Sequence, residues 1–396
     1  MALSATALLA VPLPAAAAPG ADGEVRLPQV RSRLEPDQPC AKASKTSADR
    51  PPWPYRALAL DRVWRLSRGE GVTVAVVDTG VGGAVPALAG RVTALADAGE
   101  DCVGHGTFAA GLIGAAQLPG VGFAGVAPRV RVLAVRGTDL RGDATAGRVA
   151  LGIRQAADAG AEVIYVASAL TTGRAELTRA AAYAAGRDAL VVAPAVPDSV
   201  PDDADTGEPI RPRPYWPAFA PRVLSVVDHG PGGARPQEAP EVFAADLAAP
   251  GGAVVSLGPR GAGHYIGSGS SLAAAHVAGA AALLRAYHPR LDAAEVSRRL
   301  VAFGYPADVP QLDPYAALTA VPAGAPGRRP NLADVTPPER PATAPRTRAL
   351  VVAAVGTALV LLVAALGAVI PRGRARGWRP GERWTTAASG GAAPRT

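Results

Sequence analysis

Short apolar runs alternate with longer, partly apolar segments along most of this chain. The run at residues 72–77 is continuous and rich in β-branched side chains, which is typical of a strand buried on both faces of a parallel sheet. Further strands are predicted at residues 130–135, 162–166 and 190–193. Helices are predicted at residues 55–68, 107–116, 145–159, 175–185 and 272–288, the last of them Ala-rich and central in the fold. This alternation predicts an α/β fold with a central parallel sheet covered by helices on both faces.

One apolar segment stands apart from this pattern. Residues 349–370 comprise 22 residues without a charge. At a rise of about 1.5 Å per residue, a helix of this length spans roughly 33 Å, enough for the core of a bilayer. The alternative is a buried core helix, which rarely runs beyond about 18 apolar residues without a charge. We therefore predict a single transmembrane helix.

Basic residues flank the predicted transmembrane helix and indicate its orientation. Four arginines follow it closely, at positions 372, 374, 376 and 379. The positive-inside rule then places the tail at residues 371–396 in the cytoplasm and everything before residue 349 outside it. Arg346 and Arg348 on the other flank weaken this asymmetry without reversing it.

The N-terminus has the pattern of a secretory signal peptide. Its apolar stretch ends in four small residues, Ala15 to Ala18, which suit cleavage by signal peptidase. The usual positive charge is missing, because the first arginine is Arg26, so the start is either misassigned or the signal is atypical. A transmembrane helix here is disfavoured, since the stretch is short and contains Pro12 and Pro14.

The net charge of +7 at first suggests a nucleic-acid partner. However, the tail at residues 371–396 holds six arginines and one glutamate, so it contributes +5 and leaves +2 for the rest of the chain. The positive charge therefore belongs to a tail beside a membrane helix, and we expect no nucleic-acid partner.

The chain has two cysteines, Cys40 and Cys102. Outside the cytoplasm a pair of cysteines is expected to form a disulfide, and this bond would hold an N-terminal arm beside His105. The alternative is two free thiols. A zinc site is excluded, because two cysteines without a matched histidine pair cannot supply four ligands.

These features predict a linear order of segments. In sequence we expect a signal peptide (1–18), an extended Pro-rich arm (19–54), a folded domain (55–318), a Pro-rich linker (319–348), a transmembrane helix (349–370) and a basic tail (371–396).

Three short motifs contain the candidate chemistry. Asp78 follows a predicted buried strand, His105 lies between glycines before a predicted helix, and Ser271 lies at the start of another. A serine hydroxyl becomes a nucleophile when a histidine takes its proton and a carboxylate orients that histidine. Taken singly, each motif is weak: the aspartate could form a turn, the histidine could lie beside a helix cap, and the serine could cap a helix or sit in a loop.

Together, the sequence blocks around these residues resemble the subtilase family. The matching blocks are GVTVAVVDTGV, GHGTFAAGLIGA, GVAPRVRVLAVR and GSGSSLAAAHVAGAAALL, and the likeness extends over residues 55–318. The order Asp, His, Ser along the chain is that of subtilisin-type triads. The resemblance implies a three-layer subtilisin-like fold in which Asp78 is the orienter, His105 the general base and Ser271 the nucleophile. The layout is most similar to that of mycosins, membrane-anchored subtilases associated with type VII secretion.

The chain departs from the family pattern at the oxyanion hole. Subtilases supply an asparagine from a block similar to VVAAAGN, whereas this chain has VVAPAVPD at residues 191–198. The asparagine position falls on Pro197, which has no donor, and the only asparagine in the chain is Asn331, in the linker. Loss of this donor lowers the rate by about 10²–10³, an effect known from a subtilisin. The Ser271 N–H remains as one donor, and a protonated Asp198 could be another.

A second departure concerns the substrate cleft. Where the family has Asn-x-Ser-Leu-Gly-Gly, residues 165–170 read YVASAL. The family's glycines let a peptide pair along the strand edge, and Ala169 and Leu170 are expected to crowd that approach.

Two hypotheses about function remain open. The first is a membrane-tethered serine endopeptidase with weakened catalysis, acting on a peptide or protein substrate. The second is a catalytically degenerate subtilase that serves as a structural subunit or binding partner of a secretion complex. We expect neither a cofactor nor a metal, since no loop has the ligand spacing of a calcium site.

Overall fold

The computed structural model describes residues 26–199, 211–236, 239–321 and 344–375. The chain divides into two compact units, Met1–Val321 and Pro322–Thr396, and each is described by itself. The predicted signal peptide lies outside the described residues, as do most of the predicted linker and most of the basic tail.

A parallel sheet forms the centre of the first unit. Its strands are β1 (Thr73–Asp78), β2 (Val92–Ala94), β3 (Arg131–Arg136), β4 (Val163–Val166), β5 (Leu190–Pro194), β6 (Val223–His229) and β7 (Leu247–Pro250). They lie in the order β2-β3-β1-β4-β5-β6-β7, and every neighbouring pair is parallel. A separate antiparallel pair consists of β8 (Val254–Leu257) and β9 (His264–Gly267).

Helices cover both faces of this sheet. They are α1 (Trp53–Ala57), α2 (Leu60–Val63), α3 (His105–Gly114), α4 (Ala146–Asp158), α5 (Arg174–Ala185), α6 (Ser270–Tyr287), α7 (Ala293–Ala302) and α8 (Pro314–Thr319). Alternate side chains of a strand point to opposite faces. Val74 and Val76 accordingly share one apolar core with α3 and α6, whereas Ala75 and Val77 share a second core with α4 and α5. The predicted three-layer α/β fold is therefore confirmed.

Helix α6 lies in the middle of the fold, as predicted. Every residue from Ser270 to Arg285 is buried, and most of its side chains are alanine or another small residue. Small side chains let neighbouring elements approach closely on all sides, so the helix can be enclosed completely.

The single helix predicted at residues 55–68 is wrong. Two short helices, α1 and α2, stand there, separated where Ala59 adopts a φ of +49°. In an unbroken helix Leu58 and Leu60 would point to nearly opposite sides. The break lets both side chains be buried in the same core, with 1% and 3% exposure.

The N-terminal arm follows the surface of the first unit without regular secondary structure between residues 26 and 52. The N–H of Val30 donates to the carbonyl of Ile266 on β9 at 2.9 Å, and the N–H of Leu34 donates to the carbonyl of Arg141 at 2.8 Å. The predicted disulfide between Cys40 and Cys102 is present. The arm is therefore attached to the domain both covalently and by backbone hydrogen bonds.

The described part of the second unit is one helix, α9 (Ala344–Ala375). Its segment Ala349–Ala375 is long and apolar enough to cross a membrane, judged by length and composition, and no other helix of the described residues is. Its apolar side chains are exposed.

Candidate active site

The three predicted site residues meet in one chain of hydrogen bonds. Asp78 Oδ2 lies 2.7 Å from His105 Nδ1, and His105 Nε2 lies 3.1 Å from Ser271 Oγ. All three residues are buried, with at most 3% exposure. This geometry allows the imidazole to take the serine proton while the carboxylate holds its tautomer.

Each of these residues lies at the end of a structural element. Asp78 is the last residue of β1, His105 is the first of α3, and Ser271 is in the first turn of α6. The elements converge at the carboxyl edge of the sheet, where ligands bind in open α/β folds. A side chain at Gly106 would overlap the carbonyl of Gly80, so only glycine permits this approach of α3 to β1.

A buried carboxylate that the sequence analysis missed anchors the start of α3. Asp101 accepts hydrogen bonds from the N–H of Gly104 at 2.7 Å and from the N–H and hydroxyl of Thr107 at 2.9 and 2.7 Å. It also accepts the hydroxyl of Thr79, the residue after Asp78, at 2.9 Å. Burial raises the pKa of Asp101 against the opposing effect of these bonds. The signal available in the sequence was an aspartate three residues before Gly104, the N-cap of α3.

The electrostatics of the site favour a charged imidazole. Burial by itself lowers the pKa of His105, but the carboxylates of Asp78 and Asp198 outweigh it and hold this pKa well above its usual value. The other oxygen of Asp78 accepts the N–H of Thr79 at 2.7 Å, which helps to hold the carboxylate in its orientation towards His105.

Two adjacent serines begin α6, and the structure separates their roles. The hydroxyl of Ser270 donates to Asp228 Oδ1 at 2.7 Å, on β6. Asp228 in turn pairs with Arg235 at 3.1 Å. Ser271, by contrast, faces His105. Only Ser271 is therefore placed as a candidate nucleophile.

Asp198 occupies the position beside Ser271. Its Oδ1 accepts the Ser271 N–H at 2.8 Å, and its Oδ2 accepts the Ser271 hydroxyl at 2.6 Å. Sequence alignment put Pro197 at the family's asparagine position and left Asp198 as an alternative donor. The structure brings Asp198, and not Pro197, to Ser271, where its carboxylate acts as an acceptor.

A tyrosine that the sequence analysis assigned only to the cleft wall is buried beneath the site. Tyr165, on β4, is fully buried, and its hydroxyl has no hydrogen-bond partner among the described residues. Burial raises the pKa of its phenol well above the usual value, and the charges of Asp78 and Asp198 raise it further. The hydroxyl is therefore close enough to the site to respond to its carboxylates.

A cleft of about 310 Å³ opens beside Asp78 and His105. Residues 167–170, where the sequence departs from the family's cleft pattern, are among the residues that line it. Leu170 exchanges two backbone hydrogen bonds with Trp216, each 2.8 Å long. Ser32 and Arg33 of the arm also line the cleft, which the sequence analysis did not predict.

Comparisons with known proteins are consistent with this arrangement. The family described as Subtilase family (Peptidase_S8) matches residues 69–303. Mycosin-3 of Mycobacterium tuberculosis is 33% identical over 386 residues, covering 80% of this chain and 83% of that protein. Thermitase of Thermoactinomyces vulgaris is 34% identical over 233 residues, covering 56% of this chain and 78% of thermitase. The solved structure of MycP3 protease from the type VII (ESX-3) secretion system superposes with a TM-score of 0.60 and 30% identity, covering 75% of this chain and 100% of that one.

Proposed function

Since this chain belongs to the subtilase family of serine endopeptidases and is mycosin-like, we propose that it is a membrane-anchored, extracytoplasmic protease associated with type VII protein secretion. The observation that carries the proposal is the chain of hydrogen bonds from Asp78 through His105 to Ser271, at 2.7 and 3.1 Å. The secretion assignment is supported by the solved MycP3 protease, which comes from such a system.

The three residues have distinct roles in this proposal. Ser271 Oγ attacks the carbonyl carbon of a peptide bond, and His105 Nε2 takes the hydroxyl proton. The proton then passes from His105 to the leaving amine as the C–N bond breaks, which leaves an acyl group on Ser271. Asp78 holds Nδ1–H of the imidazole and stabilises its positive charge.

We expect catalysis to be weak. The described residues include no asparagine that could supply the oxyanion hole, and the N–H of Ser271 already donates to Asp198 at 2.8 Å. Removal of one oxyanion donor typically lowers kcat by about 10²–10³.

Helix α9 supports membrane anchoring. Its apolar segment is long enough to span a bilayer, and basic residues such as Arg372 and Arg374 lie at its C-terminal end. By the positive-inside rule we propose that this end faces the cytoplasm and the catalytic unit faces away from it.

A second candidate function is that of a catalytically degenerate subtilase that binds a secretion complex. The altered cleft favours it, because Leu170 is already paired with Trp216 and Ala169 replaces a glycine of the family pattern. A peptide that must displace these contacts would bind weakly at the strand edge.

Labelling with a fluorophosphonate probe distinguishes the two candidates. The full-length chain in detergent-solubilised membranes is treated with the probe, beside Ser271→Ala and the matched control Ser270→Ala. A protease predicts labelling that disappears in Ser271→Ala and persists in Ser270→Ala, since Ser270 contacts Asp228 instead of His105. Absence of labelling in a folded wild-type chain at every pH would favour the degenerate scaffold. Ser271-dependent cleavage of a peptide library then identifies the sequence preference.

A further inference from the structure

The carboxylate of Asp198 stands where the reaction would place the oxyanion. In acyl transfer the Ser271 N–H should donate to the oxygen of the tetrahedral intermediate. Here it donates to Asp198 Oδ1 at 2.8 Å. A side chain at Gly269, which has a φ of +149°, would overlap the Asp198 carboxylate, so glycine leaves room for it. A substrate carbonyl and this carboxylate cannot occupy the place together.

An ionised Asp198 would oppose the reaction in three further ways. A carboxylate has no proton to donate, and its negative charge would repel a developing oxyanion only a few ångströms away. It also accepts the Ser271 hydroxyl at 2.6 Å, so this proton points away from His105, whose Nε2 lies 3.1 Å from Ser271 Oγ. In the observed arrangement, Asp198 therefore blocks the oxyanion hole and holds the Ser271 hydroxyl proton.

The imidazole of His105, a cation when it is protonated, faces Asp198 at 3.6 Å between Nε2 and Oδ2. Asp78 lies on the far side of this imidazole, and the Tyr165 phenol approaches from β4. Arg33 of the arm lines the same cleft, but its guanidinium pairs with Glu35 at 3.3 Å and with Asp143 at 3.7 Å.

The Ser271 hydroxyl links the imidazole and Asp198. A protonated Nε2 of His105 can donate to Ser271 Oγ across 3.1 Å, while the Ser271 hydroxyl donates to Asp198 Oδ2 across 2.6 Å. Transfer of one proton along each bond moves a single proton from His105 to Asp198. The serine regains a hydroxyl proton, the imidazole becomes neutral, and Asp198 becomes a carboxylic acid.

We propose, on the basis of the function proposed above, that Asp198 is a fourth catalytic residue that shares one proton with His105. With the proton on His105, the ionised Asp198 blocks the oxyanion hole. With the proton on Asp198, the carboxyl group turns off the Ser271 N–H so that the substrate carbonyl can enter. Its hydroxyl is then the second oxyanion donor, and the neutral His105 is the base.

In the active form each proton that moves during the reaction has a donor and an acceptor in the site. The Ser271 Oγ–C bond forms, the hydroxyl proton passes to His105 Nε2, and the carbonyl electron pair moves onto oxygen. That oxygen accepts hydrogen bonds from the Ser271 N–H and from the Asp198 hydroxyl. When the C–N bond breaks, His105 gives its proton to the amine and Asp198 keeps its own.

The shared proton predicts an unusual pH profile. The blocked and active forms contain the same number of protons, so pH does not change their ratio. Activity falls in acid when the pair gains a second proton and in alkali when it loses the shared one, which gives a bell-shaped profile. The activity of a triad with an asparagine donor instead rises with pH to a plateau, because only the histidine must lose its proton.

The experiment measures the rate at which a fluorophosphonate labels Ser271 in the full-length chain in detergent, from about pH 4 to about pH 10. Wild type, Asp198→Asn and the matched control Asp158→Asn are compared, the last at an exposed carboxylate that contacts Tyr183. Asp198→Asn is expected to label about 10²-fold faster near pH 8 and to lose the alkaline fall. Asp158→Asn should follow the wild-type profile.

Several outcomes would overturn the proposal while leaving the protease in place. They are a wild-type profile that rises to a plateau, an Asp198→Asn profile that keeps the alkaline fall, and slower labelling of Asp198→Asn than of wild type. If Asp198→Asn does not fold, the shape of the wild-type pH profile alone tests the proposal. Labelling of Asp198→Asn with none of the wild type at any pH would overturn the donor role. If both chains fold and neither labels, the proposed function itself fails.

Discussion

Asp101 accepts both the backbone N–H and the hydroxyl of Thr107, at 2.9 and 2.7 Å. Thr107 is two residues beyond His105 in the first turn of α3. The contact between Asp101 and Thr107 therefore holds in place the N-terminal end of α3, where the candidate base His105 lies. Asp101 is also adjacent in sequence to Cys102, one of the two disulfide cysteines.

Removal of the Asp101 carboxylate is expected to destabilise the fold and to misplace His105. Asp101→Ala leaves the buried N–H groups of Gly104 and Thr107 without acceptors, a loss of roughly 3 kcal/mol. Asp101→Asn keeps one acceptor oxygen and should lose less. The midpoint of thermal unfolding and Ser271 labelling measure the two effects. Equal unfolding temperatures for wild type and Asp101→Ala would contradict this role.

His105 should stabilise the protein more at low pH than at high pH. The carboxylates of Asp78 and Asp198 hold its pKa in the folded state well above the ordinary histidine value of about 6.5, which applies to the unfolded chain. Its contribution is thus fully present below about pH 6.5 and is lost as the pH rises through the folded pKa. The Tm difference between wild type and His105→Gln should narrow as the pH rises above about 7. A difference that widens would contradict the raised pKa.

His276, unlike His105, should stabilise the protein more at neutral pH than in acid. Burial lowers its pKa from 6.5 to about 4, so folding favours the neutral ring. Its contribution is present above about pH 6.5 and is lost as the pH falls towards 4, by roughly 3 kcal/mol. The acid-induced fall in Tm should be shallower in His276→Gln than in wild type. Parallel curves for the two proteins would show that the ring does not titrate in this range.

Tyr165→Phe should raise the unfolding temperature. The Tyr165 hydroxyl is buried and has no hydrogen-bond partner among the described residues, so its removal relieves a desolvation penalty of about 1 kcal/mol. The matched control is Tyr183→Phe, whose hydroxyl donates to Asp158 at 2.6 Å on the surface and whose loss should be neutral or slightly destabilising. A lower Tm for Tyr165→Phe would indicate that the hydroxyl has a partner.

Loss of the disulfide should destabilise the first unit. Cys40 and Cys102 close a loop with a sequence separation of 62, for which the chain-entropy model gives roughly 4 kcal/mol. The double variant Cys40→Ser/Cys102→Ser should unfold at a lower temperature and should be cut by a protease within the arm before the domain. If the arm remains resistant, its backbone hydrogen bonds to Ile266 and Arg141 suffice to hold it.

Much of the fold could be predicted because its signals are local. The apolar runs at β1, β3, β4 and β5 were recognised, and helices α3 to α6 were placed within a few residues of their bounds. Strands β2, β6, β7, β8 and β9 were not predicted. Residues such as Asp228 and His229 in β6 and Pro250 in β7 interrupt the apolar pattern, and tertiary pairing overrides that local preference.

The sequence by itself determined four strands of the central sheet, the apolar C-terminal helix, the cysteine pair and the candidates Asp78, His105 and Ser271. Short motifs at strand and helix ends specify such residues, because the carboxyl edge of a parallel sheet brings these ends together. Only the tertiary structure decided which residue reaches the Ser271 N–H. The path of the chain after β5 depends on packing against the start of α6, and it turned Asp198 inward where alignment had placed Pro197. Tertiary packing likewise decided the burial of Asp101 and Tyr165, since burial of a polar group follows from neighbours distant in sequence.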